Sequence, residues 1–161
     1  MDELDRKQQA LQLCRDAFQH QMRGDFPQAI EVYTKSIEVY PTAEAYTFRG
    51  WVYQLIGRVD DAIAECHKAI ELDETFGNPY NDIGAYLIEK GELDDAIEWL
   101  EKAKRAPRYE PRHFPYMNLG RLYEMKGMML QAIQELESAL ELEPGERNCV
   151  EMLARIRAKL N

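Results

Sequence analysis

Three cysteines and three histidines have the greatest potential for metal or redox chemistry in this 161-residue chain. The cysteines lie far apart, at Cys14, Cys66 and Cys149, and none forms a Cys-x-x-Cys pair. Only Cys66 and His67 are adjacent, and neighbouring residues on a helix point in different directions, which makes a poor chelate. The pattern therefore favours structural thiols in a reducing compartment, and no metal or cofactor is expected.

Two acidic pairs, Asp60-Asp61 and Asp94-Asp95, are the remaining candidates for general acid or base chemistry. Each pair opens a predicted helix, where negative charge next to free N–H groups stabilises the first turn. The sequence has no phosphate-binding glycine loop, no His-Glu-x-x-His motif and no Gly-x-Ser-x-Gly nucleophile turn. These observations predict a protein that is not an enzyme.

Composition and charge argue against two further classes of partner. Hydrophobic residues make up 45% of the chain, yet no apolar run exceeds Ile83 to Ile88, so no membrane insertion is expected. The charged N-terminal stretch from Met1 to Lys7 is unlike a secretory signal, and we expect a cytoplasmic protein. A net charge of -9 repels a phosphate backbone, which argues against nucleic acid as a partner.

The elements that position all these side chains follow an internal repeat. Glycines recur with spacings of 33, 34 and 36 residues, at Gly24, Gly57, Gly91 and Gly127. Upstream of three of them, a tyrosine, a small residue and a second large residue keep the same order. The three stretches read Tyr46-Thr-Phe-Arg-Gly50-Trp-Val-Tyr53, Tyr80-Asn-Asp-Ile-Gly84-Ala-Tyr-Leu87 and Tyr116-Met-Asn-Leu-Gly120-Arg-Leu-Tyr123. This pattern resembles the tetratricopeptide repeat (TPR) family.

The resemblance implies an all-α, right-handed superhelical solenoid of antiparallel helix pairs, in a single domain over residues 1–161. Its units are four repeats, over about 10–42, 43–76, 77–112 and 113–146, and a capping helix over about 146–160. Glycines such as Gly84 and Gly120 are expected where the two helices of a repeat approach closely. The prolines between Arg105 and Arg112 predict a rigid loop before the fourth repeat.

First helices line the inside of a TPR superhelix, so the resemblance places a binding groove on their inward side chains. The candidate site consists of Phe18, Phe48, Trp51, Asn81, Phe114, Met117 and Asn118. Its large apolar members exceed what a solvated face needs, which predicts a protein or peptide ligand with apolar anchors. The alternative is that some of them pack against neighbouring helices. The two asparagines are expected to hydrogen-bond a peptide backbone, because an amide both donates and accepts.

Family members that bind the acidic C-termini of heat-shock chaperones use a clamp of Lys, Asn and Arg on three successive first helices. The matching positions here hold Cys14, Phe18, Phe48, Asn78 and Asp82, or, one repeat later, Thr47, Trp51, Asp82, Phe114 and Asn118. The resemblance therefore implies that heat-shock chaperone C-termini are not the ligand.

The predicted function is a non-enzymatic adaptor or scaffold that binds a peptide or partner protein in the concave groove. The alternative is a chaperone for apolar segments of a secreted protein. It arises because Tyr109-Glu-Pro-Arg-His-Phe-Pro-Tyr116 is similar to a stretch that precedes the last repeat of type III secretion chaperones.

Charge is distributed unevenly along the chain. Residues 44–98 hold 13 acidic and 4 basic side chains, whereas residues 99–161 hold 9 acidic and 11 basic ones. The acidic middle section either keeps the protein soluble or steers a basic partner towards it. The second of these hypotheses includes a separate basic corner formed by Lys102, Lys104, Arg105, Arg108 and Arg112.

Overall fold

The computed structural model describes residues 1–161 and contains nine α-helices and no strand. In chain order the helices are α1 (Glu3–Met22), α2 (Phe26–Val39), α3 (Ala43–Leu55), α4 (Val59–Leu72), α5 (Asn78–Glu89), α6 (Leu93–Arg105), α7 (Phe114–Met125), α8 (Met129–Leu142) and α9 (Arg147–Leu160). The predicted all-α fold is confirmed. None of the nine helices combines the length and the apolar character that a membrane span requires.

The helices pack as successive antiparallel pairs. Each odd-numbered helix contacts the even-numbered helix that follows it, and each even-numbered helix contacts the next odd-numbered one. The backbones of odd-numbered helices also approach one another closely from α1 to α9, whereas the backbones of even-numbered helices do not. The odd-numbered helices therefore lie side by side along one face of a solenoid, and α9 closes its last pair.

Local sequence signals account for where the helices begin and end. Asp2 and Asp5 form a capping box, which starts α1 seven residues before the predicted beginning of repeat one. The Thr42 side chain accepts a hydrogen bond from the backbone N–H of Ala45 and caps α3. Four helix pairs turn at a glycine with positive φ, a conformation that other residues rarely adopt; these are Gly24, Gly57, Gly91 and Gly127.

Small residues set the distance between the paired helices, as predicted. A Cβ atom added to Gly84 would lie 2.5 Å from Leu100 Cγ, and one added to Gly120 would lie 2.6 Å from Leu136 Cγ. Both leucines are fully buried. Because these separations are shorter than any van der Waals contact, a side chain at either glycine would push the two helices apart.

Repeat two differs from the others in having an ion pair between its helices. Arg49 Nε donates to Glu65 Oε2 at 2.6 Å, and Arg49 Nη2 donates to Glu65 Oε1 at 3.0 Å. The guanidinium also lies over the rings of Tyr46 and Tyr53. Since both charged side chains are largely buried, the pair and its surroundings hold α3 and α4 in one arrangement.

The loop between repeats three and four is fixed against the preceding loop. Arg108 N donates to Thr75 O, and Gly77 N donates to Arg108 O, each at 3.0 Å. The Tyr109 ring packs directly on Gly77 and is 4% exposed. Two backbone hydrogen bonds and a buried ring explain why this proline-containing segment has a defined path.

Other groups of the chain engage most of the cations that were suggested to form a separate basic corner. Ion pairs join Lys104 Nζ to Glu135 at 2.9 Å and Arg108 Nη2 to Asp73 at 2.7 Å. The Arg112 guanidinium donates to backbone carbonyls of this loop. The loop folds back onto acidic residues that are distant in sequence, so most of these cations have structural partners.

Candidate functional site

A groove of about 730 Å³ opens on the face formed by the odd-numbered helices. Its lining comes from α3, α5 and α7, with one residue from the loop before α7. Four of the seven predicted site residues line it directly: Phe48, Trp51, Asn81 and Phe114. The repeat register therefore brings side chains 66 positions apart in the sequence into one concave surface.

Aromatic side chains form one wall of the groove. The Phe18 ring centroid lies 5.8 Å from that of Phe48 and 6.5 Å from that of Trp51. Phe48 is half-buried and packs on the core of the first two repeats, whereas Phe18 and Trp51 are each 37% exposed. Packing against a neighbouring helix thus applies to Phe48, and Trp51 presents an accessible aromatic surface.

The opposite wall belongs to α7. Phe114 is the first residue of this helix, is 40% exposed and lies against the imidazole of His113 at 4.4 Å between ring centroids. Met125, at the other end of the helix, lines the same groove and is also exposed. Because α5 lies between α3 and α7, the two apolar walls face each other across the residues of α5.

The two asparagines of the predicted site bind each other. Asn118 Nδ2 donates to Asn81 Oδ1 at 2.9 Å, and this bond joins α7 to α5. Asn81 is 8% exposed, which restricts its access to a ligand. Asn118 lines a neighbouring depression between α7 and α9, together with Met117. The structure therefore separates Met117 and Asn118 from the main groove.

Polar side chains of α5 form the floor of the groove. Asn78, Asp82 and Tyr86 are four residues apart and lie along one stripe of the helix. Burial raises the pKa of Asp82 to about 7, and a weak hydrogen bond from Asn81 Nδ2 only partly offsets this effect. The buried Oδ1 atom of Asn78 accepts no hydrogen bond.

Two tyrosines complete the floor and were absent from the predicted site. Tyr86 and Tyr109 are buried among protein atoms, and burial raises the pKa of both phenols. In the repeat register Tyr86 is equivalent to Val52 and Leu122, which are core residues. Tyr109 belongs to the inserted loop, outside the repeat pattern. The sequence signals near Tyr109 were the proline-rich insertion and the stretch from Tyr109 to Tyr116, and neither indicated the direction of the ring.

The side chains that suggested redox or metal chemistry are dispersed. The three cysteines are free and buried, and burial raises the pKa of the Cys14 thiol to about 12. A thiol with so high a pKa is almost entirely protonated at neutral pH and unreactive as a nucleophile. No group of three or more His, Cys, Asp or Glu side chains is arranged to bind a metal ion.

The helical-hairpin solenoid and its concave groove define a repeat protein of the interaction class. Sequence models of the tetratricopeptide repeat family match residues 20–75, 78–108 and 115–146, which together are well over half of the chain. The chain belongs to the tetratricopeptide repeat family.

Sequence similarity to curated relatives extends over about half of this chain. Small glutamine-rich tetratricopeptide repeat-containing protein 2 of Mycosarcoma maydis is 34% identical over 79 residues, which are 48% of this chain and 22% of that protein. The Protein SGT1 homolog of Oryza sativa subsp. japonica is 40% identical over 78 residues, 48% of this chain and 21% of that protein. Heat shock protein STI1 of Saccharomyces cerevisiae is 31% identical over 81 residues, 49% of this chain and 14% of that protein. The matched region thus spans about a fifth or less of each relative.

Solved structures agree with the fold over most of the chain. The pilF protein of Pseudomonas aeruginosa superposes with a TM-score of 0.90 at 23% identity, covering 96% of this chain and 70% of that one. MamA superposes with a TM-score of 0.72 at 26% identity, covering 89% and 83%. YrrB, described as a TPR protein with an unusual peptide-binding site, has a TM-score of 0.68 at 18% identity, covering 84% and 69%. TPR homologues and structures together support a role in protein interaction.

Proposed function

We propose that this protein is a non-enzymatic adaptor that binds a peptide segment of a partner protein in the groove. The observation that carries the proposal is the accessible aromatic surface of Trp51, which continues through Phe18 and Phe48 into a concave space. Phe114 supplies a second exposed ring at the far wall. An extended apolar surface inside a concavity is typical of a site that a partner covers.

The two exposed walls suggest how the binding energy is distributed. Large aromatic side chains that become desolvated at the centre of an interface contribute most to affinity. Trp51 is the best candidate for such an anchor, because its ring is accessible and its neighbour Phe48 is held by the core. Charged residues at the rim, such as Glu89 and Arg121, are expected to influence association rates more than affinity.

The relatives and the similar structures support a role in protein interaction, and they do not identify the partner. The peptide-binding site described for YrrB lies in a protein of the same fold, and we extend peptide binding to this chain as part of the proposal. STI1 and other heat-shock-related proteins are among the relatives. We nevertheless propose that heat-shock chaperone C-termini are not the ligand, because Cys14 is buried and Phe18 and Phe48 are apolar at the clamp positions.

Two further parts of the proposal concern location and the alternative function. Three buried, unpaired thiols suit a reducing compartment, and this supports the expected cytoplasmic location. The stretch from Tyr109 to Tyr116 suggested a secretion chaperone. Tyr109 packs on Gly77 and Arg112 donates to loop carbonyls, so packing accounts for these residues without a chaperone role.

The proposal is tested with peptides selected from a random dodecapeptide display library on the immobilised protein. Fluorescence anisotropy then gives the Kd of the selected synthetic peptides for wild type, Trp51→Ala and Phe114→Ala. We expect Trp51→Ala to weaken binding by roughly 30-fold, with a nearly unchanged melting temperature.

Leu142→Ala is the matched control, because Leu142 is an exposed apolar residue at the end of an even-numbered helix. This variant should bind like wild type. The proposal fails if no peptide is enriched, or if Trp51→Ala and Phe114→Ala both fold and bind with wild-type affinity. Should Trp51→Ala unfold, Phe114→Ala still decides the outcome.

A further inference from the structure

The floor of the groove contains a carboxylate without a cationic partner. Asp82 forms no ion pair within 4.0 Å, and its only side-chain hydrogen bond comes from Asn81 Nδ2 at 3.5 Å. Many other carboxylates in this acidic chain form ion pairs, including Asp60, Asp73 and Glu124. Asp82 is half-buried, and a carboxylate that loses part of its hydration without gaining a cation is destabilised, so a cation would complete its surroundings.

A second polar atom in the same stripe is also without a partner. Asn78 Oδ1 is buried and accepts no hydrogen bond, and Asn78 precedes Asp82 by one helical turn. Two acceptors thus line the same groove from one face of α5. Asn78 Oδ1 has no donor within the chain, and Asp82 has only the long hydrogen bond from Asn81 Nδ2. The phenols of Tyr86 and Tyr109 border the same floor.

The missing group must be a donor, and charge favours a cation. An ammonium has three N–H donors and a guanidinium has five, so either can satisfy a carboxylate and an amide oxygen together. The charged side chains that line the groove are Asp82, Glu89 and Arg121, which give it a net negative charge. Arg121 forms no ion pair with Asp82, so it does not fill this position itself.

We infer that the groove selects peptides in which a lysine or arginine side chain lies between apolar residues, and that Asp82 and Asn78 bind the cation. This inference rests on the proposed function and specifies its ligand. The apolar residues contact the walls at Trp51 and Phe114, and the long stem of the basic residue crosses the floor between them. Loss of hydration raises the pKa of Asp82, and a cation bound beside the carboxylate would lower the pKa again.

The acidic middle section of the chain agrees with a basic ligand. Residues 44–98 hold 13 acidic and 4 basic side chains, and this range includes α5 and all of α3 except its first residue. A negative potential around the groove attracts a basic segment over a distance of about 10 Å at moderate salt. The field favours the approach of such a ligand, whereas Asp82 and Asn78 recognise its charged end.

The test uses N-acetylated synthetic versions of the selected dodecapeptides, each with its basic residue present or replaced by norleucine. Norleucine keeps the length and the apolar stem of lysine and removes its charge. For wild type we expect the lysine peptide to bind roughly 30-fold more tightly than the norleucine peptide. For Asp82→Asn this preference should fall to about threefold or less, because the pairing partner is gone.

Glu71→Gln is the matched control, since it removes an exposed carboxylate of the acidic middle section from α4, outside the groove. This variant should keep the wild-type preference for lysine. The melting temperature of Asp82→Asn shows whether the variant folds, and the comparison of the two peptides on wild type needs no variant at all.

Three results overturn the inference. Selected peptides without Lys or Arg, or an equal preference in wild type and Asp82→Asn, exclude a cation site at Asp82. If N-acetylation of a selected peptide abolishes its binding, the bound cation is the terminal amine of the peptide and not a lysine or arginine side chain. If Trp51→Ala still weakens binding in these cases, the proposed adaptor function stands and only the cation site fails.

Discussion

Repeats two and three have the same backbone arrangement and opposite chemistry at equivalent positions. Two residues before the packing glycine, repeat two has Phe48 and repeat three has Asp82. One residue after it, repeat two has Trp51, and repeat three has an alanine. The groove therefore has an aromatic wall next to a polar floor, although both come from the same register of a repeated unit.

The interior of the two helix pairs shows the reverse pattern. Repeat two holds α3 and α4 together with the buried pair Arg49–Glu65. The equivalent positions in repeat three are Ile83 and Trp99, which belong to an apolar core cluster. The difference teaches that glycine and alanine positions fix the helix pair, while the remaining positions are free to be polar or apolar.

Breaking the buried ion pair of repeat two should cause the largest loss of stability. Arg49→Met leaves Glu65 buried with only the exposed Lys68 ammonium at 4.0 Å, and we expect a loss of about 3–5 kcal/mol in the free energy of unfolding. The double variant Arg49→Met/Glu65→Leu, which imitates the apolar repeat three, should recover most of that loss. Urea denaturation measures both. Arg58→Met removes an exposed pair with Asp61 and should leave the free energy of unfolding nearly unchanged. A loss as large as that of Arg49→Met would contradict the argument from burial.

Disturbing the shared backbone arrangement should have the next largest effect. Gly84→Leu places a side chain where Leu100 lies within 2.5 Å of the added Cβ, and we expect a loss of about 3 kcal/mol from overpacking. Thermal or urea unfolding measures the change. Gly145→Ala serves as control, because the nearest atom to its added Cβ is 3.9 Å away. A Gly84→Leu variant as stable as wild type would show that the helices of repeat three do not pack as described.

Stability should depend on pH through Asp82 and not through the apolar wall of repeat two. Loss of hydration raises the pKa of Asp82 in the folded state from 3.8 to about 7. Between these two pH values the folded protein therefore holds a proton on Asp82 that the unfolded chain has released. The destabilisation is therefore absent below about pH 4, grows as the pH rises and is complete above about pH 7. Asp82→Asn removes it, and at pH 8 this variant should be more stable than wild type by on the order of 2 kcal/mol.

Urea titrations of wild type and Asp82→Asn at pH 5 and pH 8 measure this difference. The groups around Asp82 are Cys66 from α4, Tyr86 from α5 and Tyr109 from the loop, and burial raises the pKa of each. These raised pKa values keep the thiol and both phenols protonated from pH 5 to pH 8, and no histidine lines the groove. A difference between the two proteins that is the same at both pH values would contradict the assignment.

The smallest expected effect concerns the long-range field of the acidic middle section. Association rates of the selected lysine peptides should fall by about threefold between 0.05 and 0.5 M salt, because screening shortens the range of the attraction. Dissociation rates should change less, since they depend on contacts within the groove. Stopped-flow fluorescence measures both rates. Association rates that stay flat as salt is raised would show that the acidic section does not steer the ligand.

Much of the candidate site followed from the repeat register. The inward direction of Trp51 and Phe114 could be predicted, because helical periodicity places them relative to the packing glycines. The bond between Asn81 and Asn118 could not, since it joins residues 37 positions apart on adjacent repeats. Tyr109 was missed for a related reason, because an inserted loop has no repeat register from which to infer its direction.

The sequence by itself determined the helix pairs, their turns and the face that bears the groove. These features depend on local signals, namely small residues at helix contacts and glycines with positive φ, whose effect does not depend on distant parts of the chain. Only the tertiary structure decided which polar groups have partners. Lys104 and Arg108 are paired with distant carboxylates, whereas Asp82 is left unpaired in the floor of the groove, because electrostatic pairing is set by which surfaces meet after folding.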